Sequence, residues 1–190
     1  EQMEIEYFVR PEKWEDAFEE FRNVTKKFFE SVGLPQKSVH EQEVPDSQRA
    51  HYSKRTVDFE FDYPFGRKEL SGLAYRTDFD LSAHQKKSGV SLEYLDDETK
   101  AKIIPHVIEP SFGVDRLVLA VLSSAYTEDE MNGEKRVFLK FSPRVAPVKV
   151  AVFPLLRNKP TLVAKAREVY MMLRKEFGAV MFDDNGNIGK

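Results

Sequence analysis

Apolar and polar residues alternate most regularly at 57–63, where Val57, Phe59, Phe61 and Tyr63 are interleaved with Asp58, Glu60 and Asp62. A period of two predicts a strand with one apolar face. Pro64 to Arg67 then turn the chain, which makes residues 68–76 the antiparallel partner. The three acids on the polar face read as solvated surface. Residues 3–9 alternate in the same way, with Met3, Ile5, Tyr7 and Val9 on the face expected to be core and Glu4, Glu6 and Phe8 on the other. Between these strands Trp14, Phe18, Phe21 and Phe28 recur at helical spacing, bounded by Pro11 and by the stop signals Gly33 and Pro35. They predict one helix with an aromatic core stripe. Residues 34–56 read as a polar connection with a helical turn at 50–54. Residues 78–87 read as a short helix capped by Thr77 or Asp78, and 90–95 and 103–108 as two strands.

The stretch 105–122, PHVIEPSFGVDRLVLAVL, organises the rest. Val107 and Ile108 predict a strand, Pro110, Ser111 and Gly113 a tight turn, and the apolar run from Leu117 to Leu122 a helix enclosed on nearly all sides. Arg116 is out of place in that helix. A guanidinium in the first turn sits at the positive end of the macrodipole, and burying it without a partner is costly. Two readings are open on local physics: an ion pair with Asp115 or Glu109, or a bound phosphate shared between Arg116 and the free N–H groups of the helix start.

Beyond Glu134 the pattern changes. Residues 136–141 read as a strand and 142–147, with two prolines, as a linker. The continuous apolar run VKVAVFPLL predicts a strand covered on both faces. A helix from about Pro160 to Phe177 follows (Leu162, Ala166, Val169, Leu173, Phe177), then a second strand, AVMFDD. The expected organisation is α+β, with an antiparallel-sheet domain at 1–144 and the start of an α/β domain at 145–190. A βαβ unit this short lies near the ~40-residue floor for an independent core, so the chain is expected to continue past Lys190, and its first strand starts so abruptly that an upstream part is expected too.

Composition narrows the chemistry. Net charge is −3, from 29 Lys+Arg and 32 Asp+Glu, so no global basic field recruits nucleic acid and any such contact must be local. The absence of cysteine excludes disulfides and thiolate zinc sites. His40, His51, His84 and His106 show no metal-ligand spacing. No run approaches the ~18 apolar residues of a membrane span, and no signal-peptide pattern opens the chain, so a cytoplasmic protein is expected. Glu69 and Arg76, on a strand expected to be central, read first as a structural salt bridge, with Asp78 and Asp80 following directly.

EIEYFV, ELSGLAYRTDFDL, EPSFGVDR and the stretch from APVKVAVFPLL to DDNGNIGK together resemble class II aminoacyl-tRNA synthetases. The resemblance is closest to the homodimeric glycyl-tRNA synthetases of archaea, eukaryotes and some bacteria, and it covers essentially all of the chain. It implies a class II antiparallel sheet with helices, running from the end of motif 2 through motif 3 (EPSFGVDR), then the first half of an anticodon-binding domain. It further implies that Arg116 contacts ATP and Glu69 helps hold Mg²⁺-ATP, while Glu4, Arg76, Glu109 and Ser111 bind glycine. The implied reaction joins glycine to tRNA(Gly) through glycyl-adenylate, by a homodimer with no membrane attachment. Motif 1 and the motif 2 loop are not in the sequence, so these 190 residues are expected to be inactive alone. Ser71 stands where relatives often carry a larger or acidic residue. The rival readings are a histidyl, threonyl or prolyl synthetase, against which the EPS triplet and the Asp-Arg ending of motif 3 argue, and a synthetase-like accessory protein without catalysis.

Overall fold

A computed structural model describes residues 1–185. The tail of the DDNGNIGK resemblance and the end of the expected 145–190 domain, residues 186–190, lie outside the described residues. The chain divides into two compact units, Glu1–Lys140 and Phe141–Lys190, taken here one at a time.

The first unit opens with two short strands, β1 (Gln2–Glu4) and β2 (Tyr7–Val9). A turn of 3-10 helix at Pro11–Lys13 leads into α1 (Trp14–Ser31), whose first turns carry Glu12, Glu15 and Asp16 toward the positive end of the dipole. After a second 3-10 turn come β3 (Val39–Glu43), β4 (Arg55–Tyr63), β5 (Gly66–Thr77) and α2 (Phe79–Ser88). A small hairpin, β6 (Tyr94–Leu95) and β7 (Lys102–Ile103), precedes β8 (His106–Gly113) and α3 (Val114–Ala125). The unit ends in the hairpin β9 (Tyr126–Met131) and β10 (Glu134–Leu139).

Six strands form one antiparallel sheet in the order β1-β8-β5-β4-β3, with β2 also on β8. The apolar residues of β4 and β5 are buried on one face, Val57, Phe59, Leu73 and Tyr75 each at 1% exposure or less. There α1 packs its Phe18 and Phe29, the Phe29 ring meeting Phe59 edge-on at 5.5 Å, while Trp14 stacks on Tyr75 at 4.1 Å. Of the expected aromatic stripe Phe18 is buried and Trp14, Phe21 and Phe28 are half-buried, with Phe29 taking the second core position. The helix ends near Gly33 as the stop signals require.

Several expectations are corrected. Residues 3–9 are not one strand with a core face. Glu4 pairs with Ser111 and Tyr7 with Ile108, which sets Ile5 opposite Pro110. Ile5 donates to the Pro110 carbonyl (3.1 Å), but Pro110 has no N–H to return, and the edge strand is interrupted there. Met3, Ile5 and Tyr7 stay exposed at this edge. The tight turn expected at 110–113 is absent, because β8 runs through Gly113 directly into α3. Nor is α3 enclosed. One side lies on β4, β5 and β8, with Ala120 fully buried, while Val118, Leu119 and Leu122 are exposed.

The connection at 34–56 contains β3, whose sequence VHEQE carries no apolar alternation, and residues 50–54 form turns and no helix. β3 is an edge strand held by charge: Arg55 pairs with Glu43 (2.9 Å), Arg22 with Glu41, and His40 with Asp62 (2.7 Å). α2 begins after Asp78, whose side chain accepts from Ser82 Oγ (2.6 Å) and caps no backbone N–H. Of the strands expected at 90–95 and 103–108, only 94–95 and 102–103 pair with each other, and the chain reaches the main sheet at His106. The β9–β10 hairpin pairs the expected 136–141 strand with an arm that the alternation does not reveal. Asn132 and Gly133, at φ 55° and 83°, make the left-handed turn that joins them.

In the second unit β11 (Val150–Val152) and β12 (Val180–Phe182) pair in parallel across α4 (Pro160–Phe177). The strand expected to be covered on both faces is three residues long, with Phe153 and Leu155 exposed beyond it. Helix α4 turns Val163, Ala166, Val169, Tyr170 and Leu173 inward to half-burial, and Leu162 and Phe177, expected on that face, are exposed.

Candidate active site

The polar alternation of β4 and β5 faces the other way, and there it builds a cleft. Its floor is a row that crosses the sheet: Glu4 on β1, Ser111 on β8, Gly72 on β5 and Asp58 on β4 are successive cross-strand neighbours. The next row supplies Glu109 and Ala74, and Arg76 follows one step along β5. Residues 44–52 of the connection between β3 and β4 form one wall with Val44, Gln48, Arg49 and Tyr52. The cleft has a volume of about 360 Å³. Five of the six residues named from the sequence line it: Glu4, Glu69, Arg76, Glu109 and Ser111.

Glu69 reaches the cleft only through an irregularity. Regular alternation puts it with Ser71, Leu73 and Tyr75 on the core face. The β4–β5 register passes from Phe59↔Ser71 to Glu60↔Glu69, leaving Leu70 as an extra residue. Leu70 and Ser71 are consequently both buried, at 1% and 2% exposure, and Glu69 emerges on the cleft side of the sheet with Gly72 and Arg76.

Arg76 is clamped. Its Nε donates to Asp80 Oδ2 (2.7 Å), its Nη1 to Glu109 Oε2 (2.7 Å), and its guanidinium lies 4.0 Å from the Tyr52 ring centroid. The Asp80 hydrogen bond raises the Arg76 pKa and holds the Asp80 carboxyl below the usual range. The structural salt bridge expected of this strand thus exists, between Arg76 and partners on α2 and β8 and not with Glu69. Burial pushes the Glu109 carboxyl up to about 7; Arg76 opposes that rise, and Glu6 and Glu4 add to it. Gln2 Nε2 donates to both Glu4 Oε1 and Ser111 Oγ at 2.8 Å, tying β1 to β8 inside the cleft. Ser71 Oγ donates to the Ser111 carbonyl (2.6 Å).

Arg116 lies at the first turn of α3, next to the cleft and half-exposed. Its Nη1 donates to the Glu69 carbonyl (3.1 Å) and pairs with Glu69 Oε2 (3.2 Å). Its partner is thus Glu69 and neither acid left open by the sequence; of those two, Glu109 is held by Arg76. Tyr63 from the core face donates to the Arg116 carbonyl (3.1 Å) and fixes the helix start. Two further hollows, of about 410 and 420 Å³, flank Arg116, and Glu69 lines both as well as the cleft.

The site also contains residues that the sequence did not single out. Asp58 makes no hydrogen bond or ion pair among the described residues, and burial first, then Glu69 and Glu60, push its carboxyl up. Arg49 donates to the Lys54 carbonyl and pairs with Asp46, yet its Nε is buried without a partner among the described residues. Gln2, Gly72 and Tyr52 line the cleft as well. Asp58 looked like one of three solvated acids, and Gln2, Arg49 and Tyr52 lie in segments without periodicity, so no local signal marked them; Gly72 did carry one, a glycine inside a strand expected to be central.

A metal would find few ligands of this chain. No group of three or more His, Cys, Asp or Glu among the described residues is arranged to hold one. Magnesium bound to a nucleotide takes most of its ligands from phosphate and water, with one or two carboxylates from protein. Glu69, with Asp58 in the same cleft, fits that lesser demand. No helix among the described residues is long and apolar enough to cross a membrane.

No family model matches the chain. The glycine--tRNA ligase of Thermobifida fusca is 46% identical over all of the chain and 42% of its own length, and that of Thermus thermophilus 43% identical over all of the chain and 41% of its own. The chain therefore spans about two fifths of the length of these relatives. In structure it is similar to a Giardia lamblia prolyl-tRNA synthetase in complex with prolyl-adenylate, with a TM-score of 0.65 and 14% identity, over 99% of this chain and 36% of that one. Along its whole length the chain is similar to glycine--tRNA ligases, and it shares the fold of that prolyl-tRNA synthetase.

Proposed function

We propose that this chain holds the amino-acid side of a glycine-activating site, in a protein that joins glycine to tRNA(Gly) at the expense of ATP. One observation carries the reading: Glu4, Arg76, Glu109 and Ser111, from three separate stretches of sequence, meet in one small cleft lined by four acids, Glu4, Asp58, Glu69 and Glu109, besides Asp80-bound Arg76. An acid-rich cleft of about 360 Å³ suits a small cation. Glycine has no side chain to grip, so Glu4 and Glu109 receive its ammonium, Arg76 steers its carboxylate, and the Ser111 hydroxyl closes the wall. Glu109 loses its proton as the ammonium binds, because the new charge offsets the burial that holds its pKa up.

The glycine carboxylate oxygen attacks the α-phosphorus of ATP, the bond to the β,γ-diphosphate breaks, and glycyl-adenylate and pyrophosphate form. The 3′-end hydroxyl of tRNA then takes the glycyl group and AMP leaves. Arg116, at the mouth of the cleft, answers the negative charge of the nucleotide, releasing Glu69 from the ion pair it now makes. Glu69 would help hold Mg²⁺, which when bound would supply charge neutralisation for the phosphates. Catalysis of this kind is positioning and electrostatic stabilisation, and it needs no proton relay from the chain. The protein is further proposed to be of the homodimeric archaeal and eukaryotic type and to work in the cytoplasm, with residues 1–144 as part of its catalytic domain and 145–190 as part of its anticodon-binding domain.

The test is glycine-dependent ATP–pyrophosphate exchange in the full-length protein. Exchange with glycine and not with proline or alanine is expected, and Arg116→Ala should lower its rate by about 10²–10³ without lowering the melting temperature by more than a few degrees. Exchange that ignores glycine, or that survives Arg116→Ala, refutes the reading.

A further inference from the structure

Gly72 occupies the middle of β5, a central strand paired on both sides. Glycine in a strand interior is destabilising relative to alanine, so something must require it. Two requirements are usual, and neither applies. Its backbone is not in the left-handed region that favours glycine. Nor is it crowded: a Cβ built on Gly72 meets only Asp58 Oδ1, at 3.7 Å, which is ordinary van der Waals contact. The fold would accept alanine. What remains is the third reason for glycine inside a strand, the close approach of a ligand to the backbone.

The direction of that missing Cβ identifies the ligand's seat. It points into the cleft, between Ser111 on the neighbouring β8 and Asp58 on the neighbouring β4, with Glu4 beyond Ser111 and Glu109 one row away. We infer that Gly72 is the floor of the amino-acid site and determines its specificity: the backbone of a side-chain-free α-amino acid lies on the Gly72 peptide, in the volume a methyl group would fill. The inference rests on the glycine-activating reading and adds a residue that reading does not use. Asp58, without a hydrogen-bond or ion-pair partner among the described residues, then faces the ammonium from the side opposite Glu4. The floor cannot move aside, because β4 and β8 hold Gly72 from both edges. A substrate methyl or a protein methyl would compete for the same space.

Gly72→Ala in the full-length protein tests this by three readouts: the glycine KM, the ATP KM and the melting temperature. The melting temperature should be unchanged or higher, the glycine KM should rise at least about tenfold, and the ATP KM should stay within about twofold. An unmoved glycine KM overturns the inference, and so does a loss confined to kcat. A melting temperature lowered by several degrees overturns it too, since the strand and not the ligand would then need the glycine. If the wild-type protein shows no glycine-dependent exchange, the underlying reading fails and this inference falls with it; if wild type is active and Gly72→Ala is indistinguishable from it, only the inference fails.

Discussion

The two faces of the six-stranded sheet are made by the same strands, yet they obey opposite rules. On one face Val57, Phe59 and Tyr75 are closed under α1, and each added contact stabilises the fold. On the other, one residue away along the same strands, Asp58, Glu109 and Arg76 are drawn together in a cleft where burial works against the charges it encloses. Burial pushes Asp58 and Glu109 toward their neutral forms, which means that the ionised sheet carries free energy it could shed. The core face is optimised for stability. The cleft face holds a cost that a bound cation would relieve.

Replacing a core residue should therefore damage the fold most. Phe59→Ala removes a fully buried ring packed edge-on against Phe29, and such truncations cost about 3–5 kcal/mol. Urea unfolding of the full-length protein measures it, and activity should fall only as far as the folded fraction does. A cost below about 1 kcal/mol would mean that this face is not the organising core.

Legibility from sequence divides along the same line. The core face could be read because burial leaves a period: Val57 to Tyr63 at two, and Phe18 with its neighbours at the helical spacing. The cleft face has the same period in polar residues, and a solvated surface looks identical. That Asp58 is half-enclosed depends on the wall made by residues 44–52, which have no pattern at all. The pairing of Arg76 with Glu109 joins β5 to β8 across a register that sequence does not state. Glu69 shows the limit best. Counting along the strand puts it on the core face, and only the extra residue at Leu70 brings it round. The motif resemblance named six residues but not how they converge. The Asn132–Gly133 dipeptide is a hairpin signal, but the acidic arm before it has no apolar alternation to mark it as a strand.

The second substitution should act with the opposite sign. The Glu109 carboxyl stands at about 7 in the fold against an ordinary 4.5, so the folded state keeps its proton longer than the unfolded one. Below the unfolded value both states are protonated and nothing is lost. As pH rises from about 4.5 to about 7 the unfolded state ionises first, stability falls, and above 7 the full penalty of roughly 3 kcal/mol is present. Glu109→Gln keeps the shape without the titration. It should match wild type near pH 4.5 and exceed it at pH 8 in melting temperature, while the glycine KM rises sharply and the ATP KM does not. In wild type, kcat/KM for glycine should decline as pH falls through about 7, and the variant should lose that decline. A variant less stable than wild type at pH 8 would show that the Arg76 pair holds the sheet together.

Asp58→Asn should give the smallest effect, and it isolates the electrostatics of the cleft floor from any loss of contact. Asp58 has no hydrogen bond or ion pair to lose among the described residues, so the substitution removes only charge. Its pKa is raised first by burial and then by Glu69 and Glu60, which gives the same sign as at Glu109: equal stability well below the ordinary carboxylate range, and a more stable variant at neutral pH. The gain should be smaller than for Glu109→Gln, because Asp58 is only half-buried and water screens it. It should also shrink further in a Glu69→Gln background, since one of the charges opposing Asp58 is then gone, and a double-mutant cycle in melting free energy reads that coupling directly. A gain that is the same in both backgrounds would mean that Asp58 and Glu69 do not share one field, and the cleft would then be two separate sites and not one.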